Sequence, residues 1–172
     1  MSSGVPTATS GTAAAAPAVG TYPMDRPSLH LSWSELSCHD GTPYPPIWWD
    51  RAALLAQEFE LVRTACGNHP LLILSAYRTP EYNLRCAGAA LKSQHLEGRA
   101  LDVQIRAGWT EQRFFSAVRE VAMRLEDGKR VSAIKGIGRY PSKGFLHFDI
   151  RPQERLVVWM GTQAHYLVGD TR

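Results

Sequence analysis

Two short apolar segments, each interrupted by polar residues, constrain this chain most. Ala100-Leu101-Asp102-Val103-Gln104-Ile105 has the pattern of a buried strand that carries a carboxylate, and Gly144-Phe145-Leu146-His147-Phe148-Asp149-Ile150 has a similar pattern. A buried carboxylate is costly unless it is paired, hydrogen-bonded or bound to a metal. Alternate residues of a strand share a face, so His147 and Asp149 point the same way. If the two strands are neighbours, Asp102 and His147 converge.

A third polar residue, His95, precedes the first of these strands in a turn that contains Gly98. His95, Asp102 and His147 together offer two imidazoles and a carboxylate, which zinc accepts as ligands. A catalytic zinc site has three protein ligands and leaves one position for water, whose pKa falls to about 7. The alternative is a pair of hydrogen-bonded core histidines beside a salt-bridged aspartate. The residues alone leave both interpretations open.

The segment around His95 resembles the signature of a known enzyme family. Its pattern Ser-x-His-x-x-Gly-x-Ala-x-Asp is formed by Ser93, His95, Gly98, Ala100 and Asp102. It resembles the zinc D-Ala-D-Ala carboxypeptidase and murein endopeptidase family, peptidase M15, whose clan includes vancomycin-resistance dipeptidases, phage L-alanyl-D-glutamate endolysins and the hedgehog signalling fold.

Two further segments support this resemblance, and they occur in the family's order. Gly144-Phe145-Leu146-His147-Phe148-Asp149 is similar to the family's second metal motif, and Ser75-Ala76-Tyr77-Arg78-Thr79-Pro80-Glu81-Tyr82-Asn83 is similar to its upstream Ser-x-Tyr-Arg segment. The resemblance covers roughly Leu29 to Trp159. It implies that His95, Asp102 and His147 bind Zn²⁺. It also implies that Arg78 binds a substrate carboxylate or carbonyl oxygen and stabilises the oxyanion.

The general base is the point at which the chain departs from the family. Many members carry an acidic residue three positions before the last histidine ligand, and this chain has Gly144 there. Asp149 is the nearest substitute as the catalytic proton carrier. Its competing role is to support a ligand imidazole. Glu97, on the turn between two ligands, is a more distant candidate.

The order of helical and strand patterns predicts an α+β domain with a small, mostly antiparallel sheet flanked by helices. The resemblance implies a hedgehog or D,D-peptidase type of fold. We expect a helix from Asp50, as N-cap, to Cys66, one that starts at Thr79 and one from Thr110 to Gly128. Strands are expected at 71–76, 100–105, 133–140, 144–150 and 156–159, and Gly136 and Gly138 are expected to let their strand bulge or pass close to the site.

Residues 1–28 are predicted to form a flexible leader rich in Ala, Ser, Thr and Pro, and residues 29–172 the zinc peptidase domain. The leader lacks a basic n-region, so no signal peptide is predicted, and no apolar run is long enough to span a membrane. The chain is then made in the cytoplasm and acts on the cell wall in the periplasm or outside the cell, with a phage origin as one route. The three cysteines are expected to be buried or idle thiols, with one disulfide and a free thiol as the alternative.

The sequence thus predicts a zinc metallopeptidase that hydrolyses peptide bonds in peptidoglycan stem or cross-link peptides, as a carboxypeptidase or an endopeptidase of the endolysin kind. The net charge of +3 is mild and the basic residues are scattered, so no nucleic-acid partner is predicted. A monomer is favoured. The alternative is a catalytically inactive, zinc-stabilised binding module with the same fold, which Gly144 keeps open.

Overall fold

The computed structural model describes residues 25–161 and 163–165, with side chains described for 25–161. The predicted leader lies outside the described residues except at 25–28, where Ser28 forms an isolated bridge with Leu31. The domain boundary at residue 29 therefore stays a prediction. Within the described part of the chain, no helix has the length and apolar character needed to cross a membrane.

The described chain alternates short helices and strands. In chain order these elements are α1 (Trp33–Leu36), α2 (Trp49–Ala65), β1 (Ile73–Ser75), α3 (Pro80–Arg85), β2 (Ala100–Gln104), α4 (Glu111–Ala122), β3 (Leu125–Glu126), β4 (Lys129–Arg130), β5 (Gly136–Tyr140), β6 (Phe145–Asp149), β7 (Val157–Met160) and β8 (Gln163–His165). Three 3₁₀ turns, Pro46–Trp48, Gln94–Glu97 and Pro141–Lys143, connect some of them.

Six strands form one sheet in the order β1-β2-β6-β5-β7-β8, and β3 pairs with β4 separately. Every pairing in the large sheet is antiparallel except that of β5 with β7. The predicted α+β fold with a small, mostly antiparallel sheet is therefore confirmed. The two strands that carry the polar residues, β2 and β6, are direct neighbours.

Side-chain caps start three of the helices, two of them at the predicted positions Thr79 and Thr110. The hydroxyl of Ser32 accepts from the backbone N–H of Glu35, which completes a capping box before α1. Thr79 caps α3 with Pro80 in the first helical position, and Thr110 caps α4.

Two helix boundaries differ from the expected ones. Asp50 lies in the first turn of α2 and is not its N-cap, because the preceding 3₁₀ turn runs directly into the helix at Trp49. Helix α4 ends at Ala122 and not at Gly128, because Asp127 and Gly128, both with positive φ, form the turn of the β3–β4 hairpin. The short strand β8 was not predicted.

The apolar core lies on one face of the large sheet. Helices α2 and α4 pack together, and α4 packs on β5 and β6. The largest side chains with almost no exposed surface include Phe59, Phe114 and Phe148. Leu101 pairs with Phe148 on this face, whereas their strand neighbours Asp102 and His147 pair on the opposite face. This alternation leaves the polar residues on the face that borders a cleft.

Candidate metal centre

His95, Asp102 and His147 meet at one point although they come from three separate elements. Asp102 on β2 and His147 on β6 are direct cross-strand partners, and His95 lies in the 3₁₀ turn just before β2. His147 Nδ1 is 2.9 Å from Asp102 Oδ1 and 3.2 Å from His95 Nε2, and His95 Nε2 is 3.1 Å from the same Asp102 oxygen. All three side chains are buried. The three predicted ligands are thus brought together.

The turn that holds His95 is fixed by local sequence. Ser93 caps it by accepting from the backbone N–H of His95 at 3.3 Å. Gly98 ends it with a φ of +61°, and the Tyr44 hydroxyl donates to the Gly98 carbonyl at 2.7 Å. A Cβ at Gly98 would lie only 2.7 Å from that hydroxyl oxygen. Both the backbone conformation and the close approach of Tyr44 therefore require glycine.

Each imidazole has one nitrogen bonded away from the centre. His95 Nδ1 lies 2.5 Å from the carbonyl oxygen of Ala76, which only accepts, so Nδ1 carries the hydrogen. His147 Nε2 donates to Asp149 Oδ2 at 2.9 Å. These bonds fix the rings so that His95 Nε2 and, once the ring is neutral, His147 Nδ1 present their lone pairs to the space that they share with Asp102 Oδ1, where a cation would be held.

The charges at the centre follow from burial and these contacts. Burial tends to raise the pKa of Asp102, but the hydrogen bond and the charge of His147 overcome it and hold that pKa well below its usual range. Burial lowers the pKa of His95 against the attraction of Asp102, so this ring stays neutral. Burial also opposes the charging of His147, yet hydrogen bonds to Asp102 and Asp149 raise its pKa to about 9. Without a metal, the Nδ1 proton of His147 therefore lies among the three donor atoms.

The three donor atoms fit a divalent metal. Tetrahedral zinc with bonds of about 2.0–2.1 Å separates neighbouring ligand atoms by about 3.3 Å. The separations in this chain are 2.9, 3.1 and 3.2 Å. Among the described residues, this is the one group of three or more His, Cys, Asp or Glu side chains that can hold a metal ion. The donor set, two imidazoles and one carboxylate, is one that zinc accepts.

Asp149 lies on the far side of the His147 ring from Asp102. Its side chain is fully buried, and the Arg151 guanidinium binds both of its oxygens, at 2.8 and 2.6 Å. Burial would raise the pKa of Asp149, but the hydrogen bonds from Arg151 and His147 hold it below its usual range. These contacts correspond to support of the imidazole, the second of the two roles considered for Asp149.

Arg78 contacts the carboxylate oxygen that does not face the histidines. Its Nη2 donates to Asp102 Oδ2 at 2.5 Å, and its Nε donates to Ser75 Oγ at 2.8 Å. The backbone N–H of Arg78 also donates to the carbonyl of His95 at 3.0 Å. Arg78 therefore ties β1 to two of the predicted ligands while its side chain borders the cleft.

The centre opens into a cleft of about 760 Å³, and two aromatic residues on its wall were missed by sequence reasoning. Tyr140 stacks on Phe145 with ring centroids 4.6 Å apart, and its hydroxyl accepts from the indole N–H of Trp159 at 2.9 Å. The Trp159 ring centroid lies 5.3 Å from that of His147. Strand alternation offers a signal for Tyr140, since it shares a face with Gly138, the cross-strand partner of His147.

The glycines of β5 let neighbouring side chains approach, as predicted. A Cβ at Gly136 would overlap the Asp149 carboxyl group, and a Cβ at Gly138 would lie 2.7 Å from ring atoms of Trp159. Gly144 ends the Pro141–Lys143 turn with a φ of +72°. The more distant base candidate, Glu97, pairs with Arg51 at 3.1 Å and is not among the described residues that line the cleft.

A comparison with protein families agrees with the arrangement of the three predicted ligands. A family model described as Peptidase M15 matches residues 29–149, which is most of the chain and includes His95, Asp102, His147 and Asp149. Neither a comparison with curated proteins nor one with solved structures gave a match.

Proposed function

Because the chain belongs to the peptidase M15 family, we propose that it is a zinc-dependent peptidase that hydrolyses peptide bonds in peptidoglycan stem or cross-link peptides. The observation that carries the proposal is the convergence of His95 Nε2, His147 Nδ1 and Asp102 Oδ1 within 3.2 Å of one another at the side of a cleft. These three residues would hold the metal. A bound zinc ion supplies Lewis acidity and lowers the pKa of water near neutrality.

Arg78 and Tyr140 are the groups that we propose to act on the substrate. Arg78 orients Asp102 through Nη2, and as a permanently charged fork on the cleft it stabilises negative charge that develops on the scissile carbonyl oxygen. The Tyr140 hydroxyl accepts from Trp159, so its own proton is available to a substrate oxygen in the cleft.

Asp149 was predicted as the catalytic proton carrier, and we retain that role as one of two proposals. The contacts of Asp149 favour the other one, in which it accepts from Nε2 of His147 and thereby keeps Nδ1 directed at the centre. Since Arg151 also binds Asp149, the carboxylate is held in place from two sides.

A second candidate function is a metal-stabilised binding module without catalysis. The observation that favours it is the lack of a free acid: among the described residues that line the cleft, Asp102 is the sole carboxylate, and Gly144 stands where many relatives have the base. Such a module would bind zinc without turnover of any peptide.

The proposed partners follow from this function. The substrate is a peptidoglycan peptide and the site of action is the cell wall. We propose a monomer, and we propose no nucleic-acid partner because the net charge of +3 is mild and the basic residues are scattered.

The test is mass spectrometry of purified peptidoglycan after digestion by the zinc-loaded protein, with His95→Ala and chelated protein in parallel. We expect new peptide fragments that are absent from both controls, and their masses identify the bond. An unchanged profile with zinc bound would favour the binding module.

A further inference from the structure

Lys92 and Lys143 lie on the wall of the cleft beside the metal centre. We propose that these two lysines form a binding site for a free carboxylate of the substrate. This inference rests on the proposed peptidase function and defines the chemical class of peptide that the cleft accepts. The carboxylate belongs either to an acidic side chain or to the C-terminus of the peptide.

Positive charge predominates among the described residues that line the cleft. Four cationic side chains line it, Arg78, Lys92, Lys143 and Arg151, against the single carboxylate of Asp102 among the described lining residues. Arg78 is paired with Asp102, and Arg151 is paired with Asp149 behind the wall. The lysines form no ion pair with a described carboxylate. They are the two cations of the described lining that no described carboxylate pairs.

The two lysines come to the cleft from different segments of the chain. Lys92 lies in the segment that leads from α3 to the turn of His95, and Lys143 ends the turn between β5 and β6. Lys143 Nζ reaches across to the segment after α3, where it lies 3.9 Å from the place of a Cβ on Gly88. It also lies 5.8 Å from the Tyr140 ring centroid. The ammonium group of Lys143 therefore lies near Gly88, in the segment that leads on to Lys92, and both exposed lysines line the same cleft.

The chemistry of the ligand follows from this arrangement. An unbalanced positive wall in a concave site attracts anions and orients them. We favour a carboxylate over a phosphate polymer as the ligand for two reasons. The net charge of the chain is only +3, and Lys92 and Lys143 line the same cleft as the metal centre. A peptide with a carboxylate near the scissile bond would place this group at the lysines and its carbonyl at the metal centre.

The experiment measures peptide binding by calorimetry with zinc-loaded protein and three synthetic stem peptides. One peptide carries all its carboxylates, one has its side-chain carboxylates amidated, and one is amidated at the C-terminus. Lys92→Gln and Lys143→Gln are each expected to weaken binding of the first peptide about two- to fivefold, with a smaller effect at high salt. The amidated peptide that lacks the recognised carboxylate is expected to bind wild type and variants alike, which identifies the source.

Lys129→Gln is the matched control, because this lysine is exposed on the β3–β4 hairpin. The inference is overturned if the double variant binds all three peptides as the wild type does while it retains zinc. Cleavage is measured separately. Lysine-dependent binding without any cleavage would contradict the proposed function alone, and cleavage that ignores both lysines would contradict this inference alone.

Discussion

Nε2 of His147 donates to Oδ2 of Asp149 at 2.9 Å, on the side of the ring opposite Asp102. The bond directs the other ring nitrogen, Nδ1, at the metal centre. Because Arg151 binds both oxygens of Asp149, the carboxylate cannot turn to follow a displaced ring. The orientation of one predicted ligand thus depends on a charge pair that does not itself face the metal.

Asp149→Asn is expected to lower zinc affinity about 10- to 100-fold, because an amide is a weaker acceptor and loses the ion pair with Arg151. A competition titration against a chromogenic chelator measures the change. Asp127→Asn, the same substitution on the exposed hairpin turn, is the control. Unchanged zinc affinity with abolished turnover would instead assign the general-base role to Asp149.

Zinc binding is expected to release one proton near neutral pH. His147 has a pKa raised to about 9 without the metal, so it is protonated below that pH, whereas the lowered pKa of His95 leaves that ring neutral. Zinc must displace the Nδ1 proton, and the apparent association constant therefore rises about tenfold per pH unit from about pH 6 to about pH 8. Calorimetry in buffers of different ionisation enthalpy counts the proton, and a count of zero would contradict the assignment.

Much of the site was predictable because its residues break simple patterns. Asp102 and His147 stand out as polar groups in apolar strands, and strand periodicity alone puts His147 and Asp149 on one face. The signature around His95 gives the family and hence the predicted ligand set. These patterns do not predict which ring nitrogen of each histidine faces the metal centre. For His95 that depends on the carbonyl of Ala76, a backbone atom just after β1 and far from His95 in sequence.

The expectations that failed concern elements with weak local signals. The β3–β4 hairpin has two residues in each strand, too few for any periodicity to appear, so the pattern of α4 seemed to continue to Gly128. The cleft wall formed by Tyr140 and Trp159 depends on the parallel pairing of β5 with β7, a long-range contact that neither segment specifies alone.

Arg78→Lys is expected to lower kcat/KM about 100-fold while the protein still binds zinc. Lysine keeps the charge but has no planar fork, so it cannot hold Ser75 Oγ and Asp102 Oδ2 together as Arg78 does. Steady-state kinetics and metal analysis on the same preparation measure both quantities. Arg124→Lys on the exposed hairpin serves as the control. Retention of full activity in Arg78→Lys would exclude a role for the fork.

Tyr140→Phe is expected to reduce kcat about 100-fold with little change in KM, because only the hydroxyl that donates to the developing oxyanion is removed. The ring, and with it the stacking on Phe145, remains. If Tyr140→Phe weakens substrate binding as much as it slows turnover, the hydroxyl already contacts the bound substrate before the transition state.

Alanine at the two glycines of β5 is expected to separate the metal centre from the aromatic wall. At Gly136 the new Cβ would overlap the Asp149 carboxyl group, so this change should lower zinc affinity as Asp149→Asn does. At Gly138 it would lie 2.7 Å from the Trp159 ring and displace the indole from Tyr140, so turnover should fall while zinc affinity stays near that of the wild type. Each is expected to cost about 1–3 kcal/mol of stability through overpacking. Zinc titration, kinetics and thermal unfolding of both variants measure the contrast. If both variants lower zinc affinity equally, the metal centre and the aromatic wall of Tyr140 and Trp159 shift together.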